Sequence, residues 1–69
     1  MKVIFVEVIF GCLKNSYKEL GSKEMTIIPV KGDLIHRNES NWEVVYRRFV
    51  LDSENGNYIK LYIRPYKIY

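Results

Sequence analysis

The side chains that could carry out covalent chemistry are few and lie apart in the sequence. The chain has one histidine, His36, and one cysteine, Cys12, and its four glycines are too dispersed to form a phosphate-binding loop. A general base needs an orienting partner, and a structural zinc site needs four ligands. We therefore predict a protein that is not an enzyme, with no catalytic residues, no metal and no cofactor. A small hydrolase that uses His36 is the weakest alternative.

Basic and aromatic side chains alternate near the C-terminus and form the most informative pattern in the chain. Arginine and lysine can contact phosphate while tyrosine stacks on bases, but tyrosine and arginine also dominate the hot spots of protein interfaces. A third interpretation is purely structural, because tyrosine favours strands and basic residues keep sheet edges soluble. The candidate binding residues are Tyr46, Arg47, Arg48, Tyr58, Lys60, Tyr62 and Arg64, and Tyr66, Lys67 and Tyr69 extend the pattern.

Size and composition indicate one small folded domain over residues 1–69. The hydrophobic fraction of 48% and the charged fraction of 28% are those of a globular chain. The net charge of +3 is only moderately basic, so charge alone does not indicate a DNA-binding domain. No apolar run approaches the ~20 residues of a membrane-spanning helix, and a single cysteine fits a reducing, cytoplasmic location. A core this small leaves little net stability, which favours a partner protein or a homodimer.

The positions of the apolar residues predict five β-strands. Lys2–Phe10 is apolar on both faces, which is typical of a central strand. Leucine and tyrosine at helical spacing within residues 11–23 allow a short helical turn near 13–20, and we otherwise expect a structured loop there. The remaining predicted strands are 24–30, 34–36, 42–52 and 57–64, separated by a turn at 31–33, a polar loop at 37–41 and an Asn-Gly turn at 53–56.

The two strands nearest the C-terminus carry more detailed expectations. In the longest strand Trp42 and Val44 share one parity while Phe49 and Leu51 have the other, so a β-bulge near residues 46–48 is needed to keep them on one face. In the last strand we expect the aliphatic positions to be buried and the tyrosine and basic positions to form the opposite face. The positions expected to be buried are Ile59, Leu61 and Ile63.

Residues 28–35, with the sequence IPVKGDLI, lead from a proline into a tight Gly-Asp turn. Trp42-Glu43-Val44-Val45 then begins the long strand, which ends at Asp52. In this order of features the chain resembles small SH3-like barrels, of a kind found in short proteins of phages and mobile elements. The resemblance implies a fold and not an activity. The expected fold is a mainly β, five-stranded antiparallel barrel.

We therefore expect a small, non-enzymatic binding module. The favoured function is protein binding, of inhibitor or adaptor type and of phage or mobile-element origin. The alternative is binding of a nucleic acid or a nucleotide through the same basic and aromatic residues. The sequence leaves both open, because the same residue types serve both kinds of surface.

Overall fold

The computed structural model describes residues 1–67, and its regular structure consists of five β-strands. They are β1 (Lys2–Ile9), β2 (Ser16–Glu24), β3 (Leu34–Arg37), β4 (Ser40–Ser53) and β5 (Gly56–Pro65). All five belong to one sheet, in the order β2-β1-β5-β4-β3. Residues 1–67 contain no helix that could cross a membrane.

The sheet is mixed, because β1 pairs antiparallel with β2 but parallel with β5. The β3–β4 and β4–β5 pairs are antiparallel. Strand direction alternates along the chain, so β1 and β5 point the same way, and placing them side by side makes their ladder parallel. The prediction of a mainly β fold is confirmed, whereas the prediction of an antiparallel sheet throughout is wrong.

The sheet curls around a core on one of its faces, here called the inner face. Phe5 of β1 is opposite Leu61 of β5 on this face, at the centre of the sheet. The buried members of the core are Val3, Phe5, Val44, Ile59, Leu61 and Ile63, and the side chains packed against them are Leu20, Met25, Ile28, Ile35 and Trp42. The predicted burial of the three aliphatic positions of β5 is confirmed.

A β-bulge in β4 keeps apolar residues from both halves of that strand on the inner face. The register with β5 shifts directly after Val44, so that Val45 has no direct partner. Before the shift Val44 is opposite Ile63, and after it Phe49 is opposite Ile59. The predicted bulge is confirmed just before its expected position. It bends the strand and thereby helps the sheet to curl.

The second strand differs from its prediction. Residues 16–24 form β2 at the edge of the sheet, where the sequence predicts a loop with a helical turn near 13–20. Most side chains of β2 are exposed, so the strand lacks the apolar alternation by which strands are identified in a sequence. Residues 25–30, predicted as a strand, are irregular, and Met25 and Ile28 instead cover the core.

Turns lie close to their predicted positions, at 31–33, 38–39 and 53–56. In the first turn Gly32 has a φ of 92°, a conformation that glycine adopts without steric cost. The two residues of the second turn have φ values of 52° and 63°. This left-handed geometry matches the twist of a two-residue β-hairpin.

The curled sheet does not close into a complete barrel. No Cα atom of the edge strand β2 lies within 8 Å of a Cα atom in the other edge strand, β3. The Arg37 side chain of β3 spans the gap and donates to the Leu20 carbonyl oxygen of β2 at 3.4 Å. The fold is therefore a half-barrel with an open seam between β2 and β3.

The central placement of β5 leads to a stability prediction. Leu61→Ala should lower the free energy of unfolding by about 2–5 kcal/mol, because Leu61 is completely buried and its truncation leaves a cavity. The matched control is Leu51→Ala, whose side chain is 61% exposed, and it should change the free energy of unfolding by less than about 0.5 kcal/mol. Urea denaturation measures the free energy of unfolding of both variants. Equal losses in the two variants would contradict the placement of Leu61 in the core.

Candidate interaction surface

The second face of the sheet, here called the outer face, carries apolar side chains that no other strand in residues 1–67 covers. Val6, Val8 and Tyr62 form a small buried cluster there, with Ile4 and Val45 packed against it. Contacts between strands are restricted to neighbours in the sheet, so no strand of the described range lies across this face. The aliphatic cluster is shielded instead by aromatic rings of the same face.

Three tyrosines from three strands form a continuous row on the outer face, here called the tyrosine row. The rings of Tyr46 in β4 and Tyr62 in β5 are stacked, with centroids 4.3 Å apart and an angle of 18° between the planes. Tyr17 in β2 meets Tyr62 edge to face, at 5.7 Å and 82°. Each such pair contributes about 0.5–1.5 kcal/mol beyond the buried area. Tyr17 and Tyr46 are 56% and 39% exposed, so the row presents ring surface to solvent.

Two basic side chains lie beside the tyrosine row without a carboxylate partner. Arg48 is directly opposite Lys60 in the β4–β5 ladder, two residues along from the Tyr46–Tyr62 pair. Like charges directly opposite each other destabilise a sheet, and neither side chain forms an ion pair within residues 1–67. The sheet thus holds a small positive site beside the aromatic surface.

Arg64, the second basic residue of β5, is neutralised by a cross-strand partner. Its Nε donates to Oε1 of Glu43 at 2.8 Å, and its Nη2 donates to the same oxygen. Glu43 and Arg64 are directly opposite each other in the β4–β5 ladder. Among the basic residues that β4 and β5 place on the outer face, Arg48 and Lys60 are therefore the two without an ion pair.

Six of the seven predicted binding residues lie together on the outer face, because they occupy alternate positions of β5 and the matching positions of β4 after the bulge. These six are Tyr46, Arg48, Tyr58, Lys60, Tyr62 and Arg64. Arg47 is the exception: it is opposite Leu61 on the inner face, with its guanidinium carbon 5.2 Å from the ring centroid of Phe49. Tyr66 is exposed after β5, and Tyr69 lies outside the described residues.

Tyr17 belongs to the tyrosine row, although sequence reasoning does not place it there. The pairing of β1 with β2 sets Tyr17 opposite Val8, and its ring reaches Tyr62 of β5 across β1. The surrounding sequence carries only a weak strand signal, because an exposed edge strand needs no apolar alternation. A long-range contact therefore adds the third member of the row.

His36 and Cys12, the two candidates for covalent chemistry, lie outside this surface. His36 is exposed in β3, and its Nδ1 is 3.0 Å from Oδ1 of Asn41, an amide that supplies a structural partner. Cys12 is exposed in the connection between β1 and β2. Within the range that the structure describes, no three metal-ligating side chains form a cluster.

The position of Tyr46 in the row alters its acidity. Partial burial raises the pKa of the Tyr46 phenol above its ordinary value of 10.0. The neighbouring phenols of Tyr62 and Tyr17 raise the pKa further, while Arg48 opposes the shift. The neutral form of the phenol is therefore favoured in the folded state.

Comparison with known proteins gives no match: no family model, no curated protein and no solved structure is similar to this chain. Fold-level likeness would in any case assign no role to a particular residue.

The shifted acidity of Tyr46 predicts a pH dependence. The pKa of the Tyr46 phenol is higher in the folded state than in the unfolded state. The contribution of the neutral phenol to the free energy of unfolding is therefore fully present below about pH 10 and is lost as the pH rises through the folded-state pKa. The ultraviolet titration of the Tyr46→Phe variant is subtracted from that of the wild type. The difference should show one phenol with a pKa above the ordinary value. Tyr46→Phe should also lose less stability than the wild type in alkaline solution. A difference spectrum with an ordinary phenol would contradict the packing of this ring.

Proposed function

We propose that this chain is a non-enzymatic protein-binding module, of inhibitor or adaptor type, whose partner docks on the outer face of the sheet. The observation that supports it is the tyrosine row, in which Tyr17, Tyr62 and Tyr46 cover a buried aliphatic cluster and still present ring surface to solvent. Specific protein interfaces combine such an aromatic centre with a polar rim.

Two further apolar side chains are exposed between the end of β1 and the start of β2. Phe10, directly after β1, is 57% exposed, and Leu13 in the β1–β2 connection is completely exposed. Phe10 continues the alternation of Val6 and Val8, which belong to the outer face. Contiguous exposed apolar surface on a small domain is typical of an interaction site, whereas single exposed residues need no explanation.

The partner that fits this face presents an apolar centre with acidic groups on one side. Arg48 and Lys60 are directly opposite each other, and neither forms an ion pair with a carboxylate of residues 1–67. An acidic residue of the binding partner would therefore relieve their repulsion. Arg64 already has Glu43 and would contribute less. The net charge of +3 also steers association towards acidic surfaces.

Nucleic-acid binding is the second candidate, because the Arg48–Lys60 pair could also contact phosphate groups. The tyrosine geometry favours a protein partner. One face of the Tyr62 ring is stacked on Tyr46, and the residue is only 7% exposed, so Tyr62 offers no free ring face to a base. Base binding would depend on the outer surfaces of Tyr17 and Tyr46 alone.

An SH3-like architecture and an origin in phages or mobile elements form part of this proposal. Five strands in one curled sheet, a bulged β4 and a tight turn at Gly32 support the architecture. The parallel pairing of β1 with β5 differs from the antiparallel version that the sequence predicts. The likeness therefore concerns the small curled sheet and not a shared partner.

The proposal is tested with the double variant Arg48→Glu/Lys60→Glu and with Tyr46→Ala. Arg47→Glu/Lys31→Glu is the matched control, because it makes the same charge change at exposed positions away from the outer face. Proteins that crosslink to the wild-type chain in nuclease-treated extracts are identified by mass spectrometry and purified. Each is then titrated with the wild type and with every variant. We expect the control to bind like the wild type and both outer-face variants to bind at least about tenfold more weakly.

Three outcomes would overturn a protein partner on this face. Equal binding by all variants would remove the outer face from the interaction. Salt-dependent binding of an oligonucleotide, lost in the double variant, would favour the second candidate. Sedimentation that shows a dimer dissociated by Tyr46→Ala would assign the face to a second copy of the chain, as in the homodimer that the small core predicts.

A further inference from the structure

A groove of about 310 Å³ opens between Phe5 and the two edge strands, at the seam of the half-barrel. Its lining consists of the apolar side chains Phe5, Met25, Pro29 and Ile35 and the basic side chains Lys23, His36 and Arg37. Ligand sites have volumes of about 300–1,000 Å³, and this groove is at the small end of that range. A small molecule fits it better than a folded partner.

The guanidinium of Arg37 is the most unusual group in the groove. Its carbon lies 4.8 Å from the ring centroid of Phe5, and its Nη2 makes a long contact of 3.4 Å with the Leu20 carbonyl oxygen. The residue is half-buried, yet it forms no ion pair within residues 1–67. Because charges removed from water are normally paired, Arg37 would gain from an anion in the groove.

Arg37 is held in place and still has free donors. A Cβ atom at Gly21 would lie only 3.2 Å from Nη2, so this glycine leaves room for the guanidinium beside β2. A guanidinium has five N–H donors, and Leu20 receives one hydrogen bond from Nη2. No fully buried side-chain donor in the described range lacks a partner. The remaining donors of Arg37 are therefore open to solvent or to a ligand.

We infer that the seam groove is a binding site for a small organic carboxylate with an apolar body. The carboxylate accepts two parallel hydrogen bonds from Arg37, the geometry that a planar guanidinium matches best. Lys23 adds a second positive charge at the rim, and no acidic residue is among the described lining. The apolar body lies against Met25, Pro29 and Ile35.

This site is independent of the proposed protein interface. Phe5, which forms part of the groove, faces the inner side of the sheet, whereas the tyrosine row lies on the outer side. The two proposals use no residue in common. Each can therefore fail without affecting the other.

The test titrates three probes into the complete, ¹⁵N-labelled chain: 4-phenylbutyrate, its neutral amide 4-phenylbutanamide, and acetate. We expect saturable shifts of the Phe5, Met25, Ile35 and Arg37 backbone amides with 4-phenylbutyrate, and a Kd on the order of 1 mM. The neutral amide lacks the charge and acetate lacks the apolar body. Both should therefore bind at least about tenfold more weakly.

Two variants locate the carboxylate. Arg37→Lys keeps the charge but removes the planar fork, and it should weaken binding of 4-phenylbutyrate by about tenfold. Arg47→Lys is the matched control, since Arg47 also stacks on a phenylalanine ring but does not line the groove. Urea denaturation checks the folding of both. Lys23→Glu, at an exposed position, should weaken binding by about threefold or more without touching the Leu20 contact.

The absence of saturable shifts at about 20 mM 4-phenylbutyrate would overturn the inference. Equal affinity for the amide would do the same, because recognition would then not involve the charge. Equal affinity for a capped, neutral tripeptide, with shifts along β2 and β3, would indicate strand addition to the open edges instead. Unchanged affinity in both Arg37→Lys and Lys23→Glu would place the ligand elsewhere.

Discussion

The parallel pairing of β1 with β5 is the interaction on which the rest of the structure depends. It sets Phe5 against Leu61 on the inner face and Val6 against Tyr62 on the outer face, so both apolar clusters include these two strands. Burying each large side chain stabilises the fold by about 1.5–3 kcal/mol. The β1–β2 hairpin and the β3–β4–β5 meander are joined into one sheet by this ladder.

The bulge at Val45 connects the core to both surfaces. It turns Arg47 and Phe49 to the inner face, where Arg47 stacks on Phe49, and it sends Tyr46 and Arg48 outward. A regular β4 would have placed Tyr46 and Arg48 on the same side as Val44. One additional residue thus keeps Val44 and Phe49 on the same face, adds Tyr46 to the tyrosine row and brings Arg48 opposite Lys60.

Incomplete closure gives the molecule two surfaces of different kinds. Curling buries the inner cluster but leaves β2 and β3 apart, and the gap becomes a groove that contains the half-buried guanidinium of Arg37. The outer side remains a broad face on which the tyrosine row shields the aliphatic side chains beneath it. A closed barrel would retain the outer face and lose the groove. The groove is therefore a consequence of the same curvature that forms the core.

Much of the fold follows from local pattern, and the rest from contacts that no local pattern contains. The face on which a side chain lies depends only on its position along the strand. The alternation in β5 therefore predicts the burial of Ile59, Leu61 and Ile63. The change of parity in β4 predicts its bulge for the same reason. Which strands become neighbours depends on packing between distant segments. Only these long-range contacts decided that the sheet is mixed, that the exposed segment 16–24 forms β2, and that Tyr17 contacts Tyr62.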